Sequence, residues 1–113
     1  MYRNVYTDNL NIINESALLG SDKSNTVVVQ DIQDLPEYRN GNRTENIIGK
    51  KITVLCPDGK SLTVKLLNEV KDLDKLKIGM RIHLINLTGK IYTDSHGRLA
   101  LSSRAEGWNE VNV

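Results

Sequence analysis

Cations alternate with small hydroxylated residues along four stretches of this 113-residue chain. Lys51 and Thr53 form the first set; Ser61, Thr63 and Lys65 the second; Arg81 and His83 the third; Arg98, Ser102 and Arg104 the fourth. The positions between them are apolar: Ile52, Val54 and Cys56; Leu62, Val64 and Leu66; Ile82 and Leu84; Leu99 and Leu101. A period of two belongs to an extended strand with one face on a core, so the cations and hydroxyls are expected to share the opposite faces. No acid falls in that set. Lys and Arg separated by Ser and Thr suit a phosphodiester backbone, because the small residues permit close approach and their hydroxyls donate to phosphate oxygens. Binding of that kind releases counterions and is sensitive to salt. Base-edge reading needs donors in fixed geometry, and no such pattern occurs, so little sequence preference is expected.

The overall charge conceals this arrangement. Lys and Arg number 15 against 14 Asp and Glu, a net of +1. Residues 1–37 contain only Arg3 and Lys23 against Asp8, Glu15, Asp22, Asp31, Asp34 and Glu37, whereas Tyr38 to Lys65 sets Arg39, Arg43, Lys50, Lys51, Lys60 and Lys65 against Glu45 and Asp58. Arg39 and Arg43, which flank Asn-Gly-Asn, therefore join Lys51, Lys65, Arg81, His83, Arg98 and Arg104 as candidate nucleic-acid contacts. Tyr38, Tyr92 and Trp108 are the candidate stacking platforms. With Phe absent and Leu, Ile and Val supplying 33 residues, the core is aliphatic and any stacking contribution is small.

Other chemistries find no support in the residue pattern. Gly-rich phosphate loops, His-Glu-x-x-His, Gly-x-Ser-x-Gly and paired cysteines are all missing, so neither catalysis nor a cofactor is expected. Cys56 with His83 and His96 falls short of a structural zinc ligand set, and no metal is expected. Cys56 itself belongs to a core-facing set, where a thiol behaves as a small hydrophobe. No stretch approaches the roughly 20 apolar residues that span a bilayer, and the N-terminal residues lack the form of a signal peptide, so a cytoplasmic protein without a membrane partner is expected.

The elements that must position the cations follow from punctuation. Residues 1–25, rich in Asn, Ser and Asp, read as a polar N-terminal arm or an added edge element. Thr26 to Ile32 is a β-branched strand stopped before Pro36, and Arg39-Asn-Gly-Asn-Arg43 is a turn or mobile loop. Ile47 to Cys56 and Ser61 to Leu67 are strands joined by the tight reversal Pro57-Asp-Gly-Lys60. Val70, Leu73 and Leu76, spaced by three, predict one or two helical turns with Asn68 as N-cap. Met80 to Thr93 is a long strand bent at Gly89, and Arg98 to Ala105 is the last. The fold class is all-β with one short helix. Residues 26–106 make the domain, and 107–113 a C-terminal tail.

Strand, strand, strand, helix, strand, strand is the order of an OB-fold-like Greek-key barrel of five strands. Within residues 69–106, Leu76-Lys-Ile-Gly-Met-Arg-Ile-His-Leu, Gly89-Lys-Ile-Tyr-Thr-Asp-Ser-His-Gly-Arg and Leu99-Ala-Leu-Ser-Ser-Arg-Ala-Glu resemble bacterial single-stranded-DNA-binding domains. Ile52-Thr-Val-Leu-Cys-Pro, Leu84-Ile-Asn-Leu and Ser103-Arg-Ala-Glu resemble the YdcP-like small proteins of Gram-positive integrative and conjugative elements, although Gly107 and Trp108 stand where that family carries a second acid. The resemblance implies a non-enzymatic helicase processivity factor that binds single-stranded DNA during element replication or conjugative transfer, with a helicase or other replication protein as partner. Two alternatives stay open at this level: a protein-interaction adaptor that docks a larger replication or transfer protein, and an RNA-binding OB domain.

Overall fold

The computed structural model describes residues 12–21 and 24–112. Residues 1–11 of the expected arm lie outside the described residues, as do Asp22 and Lys23. In chain order the elements are β1 (Ile12–Ile13), α1 (Glu15–Leu19), β2 (Thr26–Arg39), β3 (Asn42–Leu55), β4 (Ser61–Leu67), a 3-10 turn (Leu73–Lys75), β5 (Arg81–Ile85), β6 (Thr88–Thr93), β7 (Leu99–Arg104) and β8 (Gly107–Glu110). The protein is mostly β, with one short α-helix among the described residues.

β2 runs seven residues beyond Ile32, through Pro36 to Arg39. Pro36 is tolerated because it sits between two register shifts against β3, where the missing N–H removes no regular ladder bond. The turn that follows is tight. Asn40 and Gly41 hold φ of 52° and 79°, the positive pair that a two-residue hairpin turn requires. The second reversal forms at Pro57–Lys60, closed by Cys56 N–H donating to Lys60 O at 2.8 Å, with Asp58 Oδ1 accepting from Lys60 N–H at 3.0 Å. β2, β3 and β4 thus make an antiparallel meander.

The helical expectation at residues 68–76 is corrected. Val70 and Leu76 are buried and Leu73 packs beside them, but the segment is a succession of turns in which a 3-10 turn forms at Leu73–Lys75 alone. Asn68 does not cap it; its side-chain N–H donates to Ile47 O. The α-helix lies instead at Glu15–Leu19, where Asn14 accepts from Ala17 N–H at 3.0 Å and Gly20 closes the C-terminus at φ 71°. Leu19 from this helix is 1% exposed in the core, so part of the expected arm is built into the domain.

The C-terminal strands also differ from expectation. The long strand breaks at Asn86–Leu87, not at Gly89: Asn86 takes φ 52° and Leu87 turns into the core. β7 ends before Ala105, also buried, and the expected tail supplies β8, which pairs with β5 from Ile82↔Glu110 to Ile85↔Gly107. The sheet order is β1-β6-β7-β4-β3-β2-β5-β8. Among the described residues there are seven strands of four or more residues and one of two, in an open hydrogen-bonded order, so the ladders do not form the expected five-stranded closed barrel.

The inward sets of β3, β4 and β5 are buried as their alternation predicts: Ile52, Val54, Cys56, Leu62, Val64, Leu66, Ile82 and Leu84. Leu99 and Leu101 are not. They are 79% and 47% exposed because the β6–β7 hairpin runs past the buried core, and among the described residues only Leu18 of α1 reaches its inward face, near Gly89 and Leu101. Gly49 marks the closest approach in the meander. A Cβ there would land on the Leu66 carbonyl oxygen and 2.8 Å from Leu67 Cα, both backbone atoms that cannot yield as a side chain would. Gly49→Ala should therefore lower unfolding stability by about 3 kcal/mol, at the upper end of overpacking costs; a urea midpoint equal to wild type would refute that contact.

Candidate nucleic-acid interface

Register brings three of the expected contacts into one line. Lys51 on β3 pairs across to Lys65 on β4, and the parallel β4–β7 ladder sets Lys65 beside Arg104. Gln33 continues the line on β2 and Thr88 on β6. Neighbouring strands lie about 4.8 Å apart, so the three cations span roughly 10 Å. Two residues along the strands, about 7 Å away, a second line holds Asp31, Thr53 and Thr63, with Ser102 facing Lys90 on the β7–β6 side. A third holds Val28, Leu55 and Ser61, with Ala100 facing Tyr92. The same outward face thus passes from cationic to hydroxylated to apolar.

Lys65, Thr88, Lys90, Tyr92, Ser102 and Arg104 line a groove of about 570 Å³ across β4, β7 and β6. No acid lines it. Lys65, Lys90 and Arg104 are exposed and Lys51 is half-buried, and none of the four has an ion-pair partner among the described residues. Placing like charges on adjacent strands is unfavourable. The acids nearby in sequence are engaged elsewhere, Asp34 with Lys50 and Asp94 with Arg98.

The other candidates are dispersed. Arg39 pairs with Glu37 at 2.8 Å near the β2–β3 turn, and Arg43 stands across from Tyr38 there, with Tyr38 61% exposed. Arg81 and His83 lie on β5, separated from β4 by β3 and β2 in the sheet order; His83 Nε2 is 3.0 Å from Thr26 Oγ1. Arg98 is held in the β6–β7 turn, 3.9 Å from Asp94. Trp108, half-buried on β8, packs against the core with its indole Nε1 buried and without a hydrogen-bond partner among the described residues. Of the three aromatics, Tyr92 is the one in the groove.

Two residues of this face have no role in the sequence reading. Lys90 was legible in principle, since Thr88, Lys90 and Tyr92 alternate with Gly89 and Ile91. Asp31 was not. Alternation from Val27 and Val29 sends it inward, but the register shift at Gln30 inserts one residue and turns Asp31 outward beside Thr53. Among the described residues this outward face consequently carries one acid, whose Oδ2 accepts from Gln33 Nε2–H at 3.0 Å.

No group of three or more His, Cys, Asp or Glu among the described residues could hold a metal ion, and no helix among them is long and apolar enough to cross a membrane. Burial pushes the Cys56 thiol above its ordinary range, and the charge of Asp58 adds to the shift. Thiolate then becomes scarce at a given pH, so alkylation by iodoacetamide should be slower in native than in urea-unfolded protein and should require a higher pH; equal rates would contradict the burial. Trp108, the single tryptophan, should emit at short wavelength, resist acrylamide quenching and stay unchanged when oligonucleotide is added, whereas a red-shifted, quencher-accessible emission would place it at the surface. Comparison of this chain with protein-family models, curated proteins and solved structures finds no match.

Proposed function

We propose that the protein is a non-enzymatic, single-stranded nucleic-acid-binding module that holds the phosphate backbone across β3, β4, β7 and β6. The observation that carries this reading is the line Lys51–Lys65–Arg104, three cations on adjacent strands with no counter-ion among the described residues, joined by Lys90 in the groove. Their mutual repulsion is relieved by a polyanion that spans them. Tyr92 beside these cations offers a ring face to an unstacked base, which a duplex would keep covered. The strand pairings support an OB-type arrangement with interruptions: residues 26–39, 42–55 and 61–67 form the meander, residues 99–110 lie next to 61–67, and residues 81–93 lie between 99–110 and 26–39.

The preference for DNA, and a setting in mobile-element replication or transfer beside a helicase, rests on the resemblance of the sequence motifs. RNA binding and an adaptor role are the outcomes that would replace it. A titration of labelled oligo-dT at increasing salt tests the electrostatic mechanism. Three to four phosphate contacts at about 0.7 each predict that log K falls with log salt at a slope of about −2 to −3. Lys65→Ala should make the slope shallower by about 0.7, and Arg104→Glu should abolish most binding while leaving the fold intact by circular dichroism. Affinity that does not weaken with salt would reject this interface, and an equal-length RNA that outcompetes the DNA would reassign the ligand.

A further inference from the structure

The inward face of the β6–β7 hairpin carries an apolar strip that the core does not cover. At its base Leu18 of α1 lies over Gly89, where a Cβ would come 2.8 Å from Leu18 Cδ2 and 3.3 Å from Leu101 Cδ1. Toward the hairpin turn Ile91 pairs with Leu101 and Thr93 with Leu99, and none of these apolar residues takes part in the core. Ile91 is half-buried, and Leu99 and Leu101 are exposed. From Gly89 to Thr93 the strip runs four residues along the strands, about 13 Å. Contiguous apolar surface marks contact with another macromolecule. It offers phosphates no site, and the cationic groove lies on the opposite side of the same strands.

The two ends of the strip differ in sign. Glu15 lies one helical turn before Leu18 and Leu19, on the same side of α1. It is half-buried and has no cationic partner among the described residues. Arg98 stands at the other end, exposed in the hairpin turn. Asp94 holds it loosely: Oδ1 accepts from the N–H groups of His96 and Arg98 at 2.8 and 2.9 Å, while Arg98 Nε is 3.9 Å from Oδ2, beyond hydrogen-bond reach. An apolar strip with an acid at one end and a base at the other is complementary to itself turned end for end. Two such faces packed antiparallel cover Leu99 and Leu101 of both copies and set each Arg98 beside Glu15 of the other copy, whereas parallel packing sets Arg98 against Arg98. The antiparallel arrangement is isologous, as a two-fold dimer requires.

We infer that the protein associates with a second copy of itself through this face of the β6–β7 hairpin and α1. The strip, about 13 Å long and two strands wide, is smaller than the roughly 800 Å² per partner of a standard stable interface, so the dimer is weak and depends on concentration. It leaves the groove open and does not rest on the nucleic-acid reading. Sedimentation velocity over about a hundredfold range of concentration tests it, since a weak dimer passes from mostly dissociated to mostly associated over such a range. Wild type should shift from monomer toward dimer, and Leu99→Asp, at a site too exposed to disturb the fold, should stay monomeric with an unchanged circular dichroism spectrum. Arg98→Glu and Glu15→Arg should each weaken association by about tenfold or more, the scale of a hydrogen bond between charged groups, and the two together should restore it. A wild type that stays monomeric throughout, a dimer that survives Leu99→Asp, or a double variant no better than the single ones would overturn the inference. A dimer that appears only once residues 1–11 are deleted would overturn it too and give the face to that segment.

Discussion

The parallel contact between β4 and β7 governs the rest of the molecule. It is the one parallel pairing among the described strands, and it covers only Val64↔Ser103 and Lys65↔Arg104. Side chain and backbone reinforce it: Ser103 Oγ–H donates to Thr63 O at 2.6 Å, and Ala105 N–H donates to Lys65 O. Parallel ladders are somewhat less stable per residue than antiparallel ones, and they require a connection that leaves the sheet and returns. Here residues 68–98 make that excursion, anchored by Val70 and Leu76 in the core and by β5 on β2. Without this short join the β6–β7 hairpin would keep no ladder to the meander, and the C-terminal segment would be tied to it only through β8 on β5 and β5 on β2. The join also sets Arg104 beside Lys65, so the packing that completes the core is the same packing that concentrates positive charge.

What could be read from the sequence follows the range of the forces involved. Alternation is local, and it located the buried sets of β3, β4 and β5 together with Lys51, Lys65 and Arg104 on the outer side. Turn chemistry is local too, which is why Pro57-Asp-Gly-Lys60 was recognisable. Bulges are not. The residue inserted at Gln30 reverses the phase of β2, and nothing in Thr-Val-Val-Val-Gln-Asp-Ile announces it, so Asp31 was hidden. The helix at Glu15–Leu19 is too short to display a period, and its burial of Leu19 is a tertiary event. At residues 68–76 the inward residues were seen correctly, but successive turns bring Val70, Leu73 and Leu76 to the core without an α-helix, and only Leu73 lies in the 3-10 turn. For Leu99 and Leu101 alternation found the right side of the strand without revealing that the core ends before they are reached.

Net charge is a poor guide to such a surface, and the reason is electrostatic range. At physiological ionic strength the Debye length is about 8 Å, so only charges within a neighbouring strand or two act together. Glu37, Asp34, Asp72 and Asp94 are each within 4.0 Å of a cation, Arg39, Lys50, Lys75 and Arg98. Such pairs present little field beyond their own surroundings. Exposed pairs of this kind contribute little to stability, but they withdraw both partners from the face. The cations left over among the outward positions of β3, β4, β7 and β6 are Lys51, Lys65, Lys90 and Arg104, which lie within that range of their neighbours. A chain of net +1 can therefore offer a polyanion a local field of several positive charges. Because a single acid, Asp31, interrupts this field at its β2 end, the strongest attraction lies toward the groove between β4 and β6, where Tyr92 stands at the apolar margin.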